Sequence, residues 1–553
     1  MTLFELSTTL SVLATAVTSV LLVLLLTAVS RQLWTLRWTI TRDKTSSLPL
    51  PKGSMGWPLI GETFHWLFEG SSFHVSRREK YGNVFKTHLL GKPVIRVTGA
   101  ENIRKILMGE HTMVCTQWPQ STRIILGPNT LVNSVGDLHR KKRKILGKAF
   151  SHAALETYIP HLQDVVKTEI ARWCLDTGPI DVFAAAKALT FRIAVRIIIG
   201  LDVEETQINY LSRMFEQLMD NLFSLPLDVC CSGLRKGIQA RDVLHRCMEK
   251  MIEEKLQRNT EGCSHVFDYI LTSAKEQGHE LTMQELKETA VELIFAAHST
   301  TASASTSLVQ LLLSHPSVAE KARSEIQEMG LGHVLNSNNN NNNKKSIISG
   351  DADMQTTGSP SYDTEKHKNC ICPTESGTCS FQEPNLTLKV LGGLQYLDCV
   401  VREVLRYLPP VSGGYRSVLQ TFELDGCQIP KGWSVMYSIR DTHETSPVYQ
   451  RPDLFDPERF GPERDEGRAA GRFNYVPFGG GIRSCVGKEL AQVIIKTLAV
   501  EVLGSTEMRL ATDTFPKMHT VPVVHPAKGL QVYFTYRDNN IEKHHVSCMF
   551  HHG

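Results

Sequence analysis

The sequence predicts a mainly α-helical protein with small β-sheets (α+β), carried on an N-terminal transmembrane helix. Three observations predict this class. An uncharged apolar run, Leu10 to Val29, has the roughly 20-residue length that crosses a bilayer as a helix. Stretches of helical periodicity dominate the rest, notably Arg241–Arg258 and Thr282–His315. The β-like runs between them are short, as in Tyr81–Gly99, where Gly91-Lys92-Pro93 marks a hairpin turn. The chain has 553 residues, 42% hydrophobic and 21% charged, so it can bury a large core. A net charge of +3 gives no global field that would require nucleic acid. The 13 cysteines are scattered and odd in number, which fits a reducing compartment rather than a disulfide framework.

The elements follow in order. Residues 1–47 form the membrane anchor. Arg31, Arg37, Arg42 and Lys44 follow the apolar run and only Glu5 precedes it, which puts the C-terminal bulk in the cytosol. A cleaved signal peptide would need a basic start and a shorter apolar stretch. Residues 48–62, with Pro49, Pro51 and Pro58 among Gly53, Gly56 and Gly61, read as a short rigid linker. The main body runs from 63 to 538. It is interrupted at about 335–385 by an insertion with six consecutive asparagines, Asn338 to Asn343, whose composition cannot bury enough apolar surface to order itself. Its Cys370, Cys372 and Cys379 have only His367 near them and make a poor zinc site. Residues 539–553 are a tail.

The chemistry concentrates in Phe473–Gln492, "FNYVPFGGGIRSCVGKELAQ". A phosphate-binding Walker loop fails here, because Ile482 stands at its first glycine and Glu489 at its hydroxyl position. A dinucleotide loop fails at Ser484. A nucleophilic cysteine needs a base that this stretch does not supply. A metal thiolate fits better. A nearby helix N-terminus pushes Cys485 toward thiolate. Gly479 to Gly481 let backbone approach a flat ligand, and Arg483 can neutralise a carboxylate on it. These features describe haem iron held by cysteine.

The pattern Phe478-x-x-Gly481-x-Arg483-x-Cys485-x-Gly487 resembles the haem-binding signature of the cytochrome P450 haem-thiolate monooxygenases. Glu403-x-x-Arg406 resembles the K-helix motif and Pro457-Glu458-Arg459-Phe460 its partner segment. The resemblance implies a buried structural network of Glu403, Arg406 and Arg459. Thr282–His315 resembles the distal I helix, in which Thr300 would bond the iron-bound oxygen and support proton delivery. Ser299 stands where the family has an acid, and can relay through water. Gly136–Phe150 resembles the C helix. His139 and Arg143 share a face there and would contact haem propionates, with His139 in place of a tryptophan. Arg416 falls on another propionate contact. Arg140, Lys141, Lys142 and Lys144 are either a solvated charged face or a docking surface for an acidic flavin reductase.

"FAAHSTTASASTSL", "LPPVSGGYRS", "GCQIPKGWSVMYSIRDTHE" and "PFGGGIRSCVGKELAQ" are similar to family 26 of the superfamily, the retinoic acid hydroxylases, and within it to subfamily C. That likeness implies haem b as cofactor, dioxygen and NADPH through the membrane-bound cytochrome P450 reductase as cosubstrates, and 4-hydroxylation of all-trans-retinoic acid, with the 9-cis isomer as a second candidate substrate. It implies residence in the endoplasmic reticulum membrane. A long apolar acid needs an aromatic and aliphatic channel with one polar anchor. By position, Trp118, Phe223, Phe295, Pro410 and Val411 are candidates for the channel. Arg96 is a candidate for the anchor, its competing reading being an ordinary exposed strand residue. Two alternatives stay open: an isomerase on the same fold that needs neither dioxygen nor reductase, and a non-catalytic retinoid-binding protein.

Overall fold

The computed structural model describes residues 3–200, 203–257, 263–331, 385–469 and 471–537. All but the last residue of the asparagine-rich insertion, its three cysteines and the C-terminal tail lie outside them. The apolar N-terminal run belongs to a 38-residue helix, Leu3–Ile40. At 1.5 Å per residue it is about 57 Å long, well beyond a ~30 Å hydrocarbon core. Hydroxyls along it bond back to the helix: Thr15 and Ser19 donate to carbonyls four residues back, at 2.8 and 2.7 Å. The sequence places the span at 10–29, but the helix continues through Arg31 and Arg37. Its end packs on the body. Trp34 is buried and donates from Nε1 to Met55 O at 3.1 Å, and Trp38 packs edge-on to Trp433.

The segment read as a linker is tied to the body by hydrogen bonds. Lys86 N–H donates to Lys52 O at 2.8 Å, Glu62 N–H to His88 O at 2.8 Å and Gln428 N–H to Pro49 O at 2.9 Å. These anchor it along a five-stranded sheet. The order is Val84–Leu89, Lys92–Val97, Ser434–Ser438, Gly413–Val418, Val114–Thr116, and only the second and third strands are parallel. The hairpin turn falls at Leu90-Gly91, both with positive φ (50° and 77°), one residue earlier than the sequence suggests. Lys92 and Pro93 are paired opposite Leu89 and His88 in the second strand. Two adjacent positive φ values are the geometry of a tight hairpin turn whose twist matches the strands.

The larger part is helical and holds the main core. Its axis is the central helix, Met283–Ser314, 32 residues long. Thr282 and Glu285 close its start as a capping box: Glu285 N–H donates to Thr282 Oγ1 at 3.2 Å and Thr282 N–H to Glu285 Oε2 at 3.1 Å. Ser303, Ser305, Thr306 and Ser307 are buried, as small residues permitting close packing should be. Ser303 also donates to Val524 O at 2.5 Å, linking the helix to the C-terminal strands. A three-stranded sheet (Ile180–Asp181, Gln531–Tyr536, Thr506–Leu510) closes this part of the body.

Candidate active site

The loop before helix Lys488–Ser505 is held by its own backbone: Gly479 N–H donates to Val476 O and Cys485 N–H to Phe478 O, both at 2.9 Å. The glycines serve different purposes. Gly481 has φ +65°, and a Cβ there would lie 2.1 Å from Leu107 O, so this glycine makes room for protein. Gly479, also at positive φ, borders open space and is the one that leaves room for a flat ligand. Cys485 is exposed although the surrounding protein desolvates it, so its thiol faces a cleft inside the molecule. Burial raises its pKa, against the Gly487 N–H and the charges of Arg143 and Lys488. The sequence argument expected the helix end to favour thiolate. The helix starts three residues later, and desolvation outweighs it.

On the central helix, Leu293, Ile294, His298 and Thr301 are buried while Ala296 is exposed and Thr300 half-buried. The open patch is therefore a stripe one turn long in the middle of a helix that is exposed elsewhere only near its ends, at Gln284 and Ser314. Thr300 Oγ1 donates to Ala296 O at 2.7 Å, which leaves its lone pairs free to accept. Ser299 is engaged elsewhere: its Oγ lies 3.1 Å from Nδ1 of His298. His298 is buried against Phe191 and Phe215, and desolvation lowers its pKa to about 4, so it is neutral. Four residues apart along the same row stand Glu288, Glu292, Ala296 and Thr300. The two carboxylates latch the segment after Leu126. Glu288 accepts from Asn129 N–H, and Glu292 from Leu131 and Val132 N–H, each at 2.7 Å.

That segment leads to a cationic cluster. Arg483 donates from Nε to Glu110 at 3.0 Å and from Nη2 to Ser134 O at 2.6 Å. Arg416 Nε is 2.9 Å from the other Glu110 oxygen, but the pair is misaligned and both atoms lack a true hydrogen bond. Arg143 donates only to Ser484 Oγ, at 3.1 Å. His139, on the same face of helix Gly136–Lys148, is buried with Nδ1 unpartnered. Desolvation and the charges of Arg483 and Arg143 lower its pKa to about 4. Its ring meets that of His111, whose Nε2 is also unpartnered, with centroids 5.7 Å apart. With neutral histidines, Arg416 and Arg483 share one carboxylate, Glu110, and Arg143 beside Ser484 has no carboxylate partner among the described residues. The excess of two positive charges, with orphaned buried donors, matches a ligand bearing two carboxylates. A soft thiol and an open glycine stand beside it. The residues present fit haem b, with Cys485 for the iron and Arg143, Arg416, Arg483 and His139 for the propionates. Sequence reasoning missed Glu110 and His111, since no motif spacing links them to Arg483.

Behind this lies the buried ion network. Glu403 accepts from Arg406 Nε at 2.7 Å and from Arg459 Nε at 3.1 Å, and Arg459 Nη1 also reaches Glu466 at 2.7 Å. The remaining guanidinium donors bond the carbonyls of Gln450, Pro452 and Leu454. His443, absent from the sequence reading, joins this network to the thiol loop. Its Nδ1 is 3.1 Å from Arg406 O, and its Nε2 accepts from Val476 N–H at 3.0 Å, which places the proton on Nδ1.

The substrate candidates divide. Trp118 and Phe295 pack edge-to-face with centroids 6.2 Å apart. Pro410 is buried and its carbonyl accepts from Val524 N–H at 3.0 Å, while Val411 is exposed. Phe223 is half exposed, just past helix Glu205–Asn221, and no contact places it with Trp118. The reading of Arg96 as an exposed strand residue is corrected. It is buried and paired with Asp441 at 2.9 Å because its strand lies inside the sheet, and its Nε has no partner. On the basic helix, Lys142 turns inward to Glu285 at 3.8 Å, and Arg140 pairs with Asp137 at 2.7 Å. Lys141 and Lys144 remain exposed without an ion pair among the described residues.

The family profile described as Cytochrome P450 matches residues 51–338 and 375–534. The chain is 56% identical to human Cytochrome P450 26C1 over 528 residues, 95% of this chain and 96% of that one. It is 52% identical to human Cytochrome P450 26B1 over 540 residues, 97% of each. A solved structure, the retinoic-acid-bound cyanobacterial CYP120A1, superposes with a TM-score of 0.73 at 30% identity, over 89% of this chain and 100% of that one. The higher identity to 26C1 favours subfamily C. The thiol loop, the buried ion network and these matches lead to one assignment: the chain belongs to the cytochrome P450 family, within its family 26.

Proposed function

We propose that the protein is a haem-thiolate monooxygenase that hydroxylates all-trans-retinoic acid, and its 9-cis isomer, at ring position 4, ending the retinoid signal. The observation that carries the chemistry is an interior thiol, Cys485, opening on a cleft beside two uncompensated positive charges. The substrate rests on the family 26 relatives and on the retinoic acid bound to the structural neighbour. When bound, haem supplies dioxygen activation and oxidation of a C–H bond, with electrons from NADPH through a flavin reductase.

This chain's residues do the rest. Cys485 ligates the iron, while Arg143, Arg416, Arg483 and His139 hold the propionates and Phe478 packs beside the thiol loop. Thr300, its own proton given to Ala296 O, offers its oxygen as an acceptor for a proton donor in the cleft. Ser299, bonded to His298, sets the polarity next to Thr300 without a carboxylate. Trp118 and Phe295 form an aromatic wall that aims an apolar ring, with Pro410 and Val411 beyond. Phe223 lines the outer approach. Arg96 is the carboxylate partner, offering Nε beside the donor that Asp441 already holds. Lys141 and Lys144 dock the acidic reductase. The anchor helix sits in the endoplasmic reticulum membrane, and the arginines after it keep the body cytosolic.

Two spectra test the assignment. Reduced protein with carbon monoxide shows the thiolate-type Soret band, and Cys485→Ala abolishes it. Retinoic acid added to the ferric protein shifts the iron toward high spin; no shift removes the substrate assignment. Hydroperoxide turnover without NADPH and reductase would favour an isomerase. Binding without an oxidised product would favour a retinoid sink.

A further inference from the structure

Cys230 and Cys231 lie in the connection between helices Glu205–Asn221 and Gly233–Gln257, and both are exposed. Consecutive side chains of an extended strand point to opposite faces. Here Ser232 N–H donates to Val229 O at 3.1 Å, closing a turn, and Cys231 takes φ +67°. Turns with a positive φ at this position favour glycine or asparagine. The cysteine there swings its thiol back beside the first, and the two Sγ atoms stand 3.6 Å apart.

That separation suits chelation better than a disulfide. Adjacent Cα atoms are about 3.8 Å apart, below the ~4.4–6.8 Å range of ordinary disulfides, so closing to a ~2.0 Å S–S bond would strain the turn. Two sulfurs sharing one centre through ~2.3 Å bonds stand roughly 3.3–3.8 Å apart as the angle between them opens from pyramidal to tetrahedral, a range that includes the spacing already present. Among the described residues no group of three or more His, Cys, Asp or Glu forms a metal site, so no third or fourth ligand completes a zinc centre. A thiophilic centre satisfied by two sulfurs is favoured. Exposed Leu225, Leu227 and Val229 precede the pair and offer an apolar seat for an organic substituent.

We propose that Cys230 and Cys231 form a vicinal dithiol site that captures a trivalent organoarsenical as a cyclic dithioarsinite. The two thiols give their protons to the arsenic-bound oxygen, two S–As bonds form, the As–O bond breaks and water leaves. Arsenic stays trivalent and no electron is transferred.

The test uses the full-length, haem-loaded protein in detergent with phenylarsine oxide, read by intact mass and peptide mapping. One phenylarsenic unit is expected per chain, on the 222–236 segment, resistant to excess 2-mercaptoethanol and released by 2,3-dimercaptopropanol. Cys230→Ser and Cys231→Ser should each lower retention against monothiol on the order of 100-fold, the effective concentration of the second thiol being lost. Both variants should keep the reduced carbon monoxide band, which shows that they fold. An adduct stripped by monothiol overturns the proposal. So does one that persists when Cys230→Ser and Cys231→Ser are combined and maps to Cys370, Cys372 or Cys379. A fatty acyl thioester found on either cysteine in the protein as isolated would overturn it in favour of lipid attachment.

Discussion

Two buried charge clusters flank the thiol loop, and they are built on opposite principles. In the first, Glu403 and Glu466 balance Arg406 and Arg459, and none of the four has an unpartnered buried nitrogen or oxygen among the described residues. In the second, Glu110 alone faces Arg416 and Arg483, and Arg143, bonded to Ser484, has no carboxylate partner among the described residues; orphaned atoms stand on Glu110, Arg416, His139 and His111. The first is complete as it stands, and it makes the fold. The second is complete only with two more negative charges, and it makes the site. Buried charge alone does not distinguish structure from function; its satisfaction does.

The largest expected effect comes from breaking the complete cluster. Glu403→Gln keeps the shape but leaves Arg406 and Arg459 short of a counter-charge where side-chain exposure is 0%. Stranding a buried charge costs about 3–5 kcal/mol. The variant should yield little folded haem protein and a clearly lower denaturant midpoint; an unchanged midpoint would refute the structural role. The open cluster should respond differently. Arg416→Ala removes a donor the ligand needs and relieves an unbalanced apoprotein. Haem transfer to an excess apo-acceptor should speed up by roughly 10–100-fold, the worth of one charge-assisted bond, with little change in the apoprotein midpoint. Glu110→Gln should do the reverse, lowering the apoprotein midpoint while haem stays bound. If both substitutions act alike, the two clusters do not differ in kind.

How much of this the sequence foretold follows the same division. The signature around Cys485 and the Glu403-x-x-Arg406 pair were legible because local geometry sets their spacing. The central helix was legible from its periodicity, and its boundaries match to a residue at each end. Glu110 was not legible, being 373 positions from Arg483. Nor was His443, whose role comes from bridging two loops by backbone bonds. Arg96 misled because a strand's sequence does not say whether it lies at the edge or the middle of a sheet. The N-terminal helix outran its apolar run because Trp34 and Trp38 found partners on the body.

Acid should separate the clusters further. His443, His139, His298 and His245 are buried, with pKa values lowered to about 3, 4, 4 and 4 from 6.5, chiefly by desolvation. The unfolded chain therefore binds more protons than the folded one as pH falls below 6.5, and stability is lost toward pH 4. Each histidine contributes up to about 1.4 kcal/mol per pH unit in that window. Glu169 and Glu292, whose pKa values are raised by burial, work the other way but are fewer. The denaturant midpoint should fall between pH 7 and 5. His443→Gln should flatten that slope, since His443 bridges the complete cluster to the thiol loop, and haem loading should steepen it less than the substitution flattens it. A midpoint independent of pH would mean these rings are reached by water in the folded state.

The smallest effect probes how the open cluster is held in place. Arg483 donates to Leu131 and Ser134 carbonyls, and the same segment gives its Leu131 and Val132 N–H groups to Glu292 on the central helix. Glu292 thus sets the distance between the row bearing Thr300 and the cationic cluster. Glu292→Gln offers one oxygen and one NH2 group in place of two oxygens, so one of the two amides must face a donor. Losing a charge-assisted bond is worth about 1.5–3 kcal/mol. Removing a carboxylate that burial disfavours, as its pKa of about 7 shows, returns part of that. A net change of about 1 kcal/mol corresponds to a roughly five-fold faster amide exchange. That change should appear at Leu131 or Val132 alone, with Asn129, held by Glu288, unchanged. If exchange rises throughout 127–134 together, the segment moves as one piece and the latch is shared between Glu288 and Glu292 rather than set by Glu292.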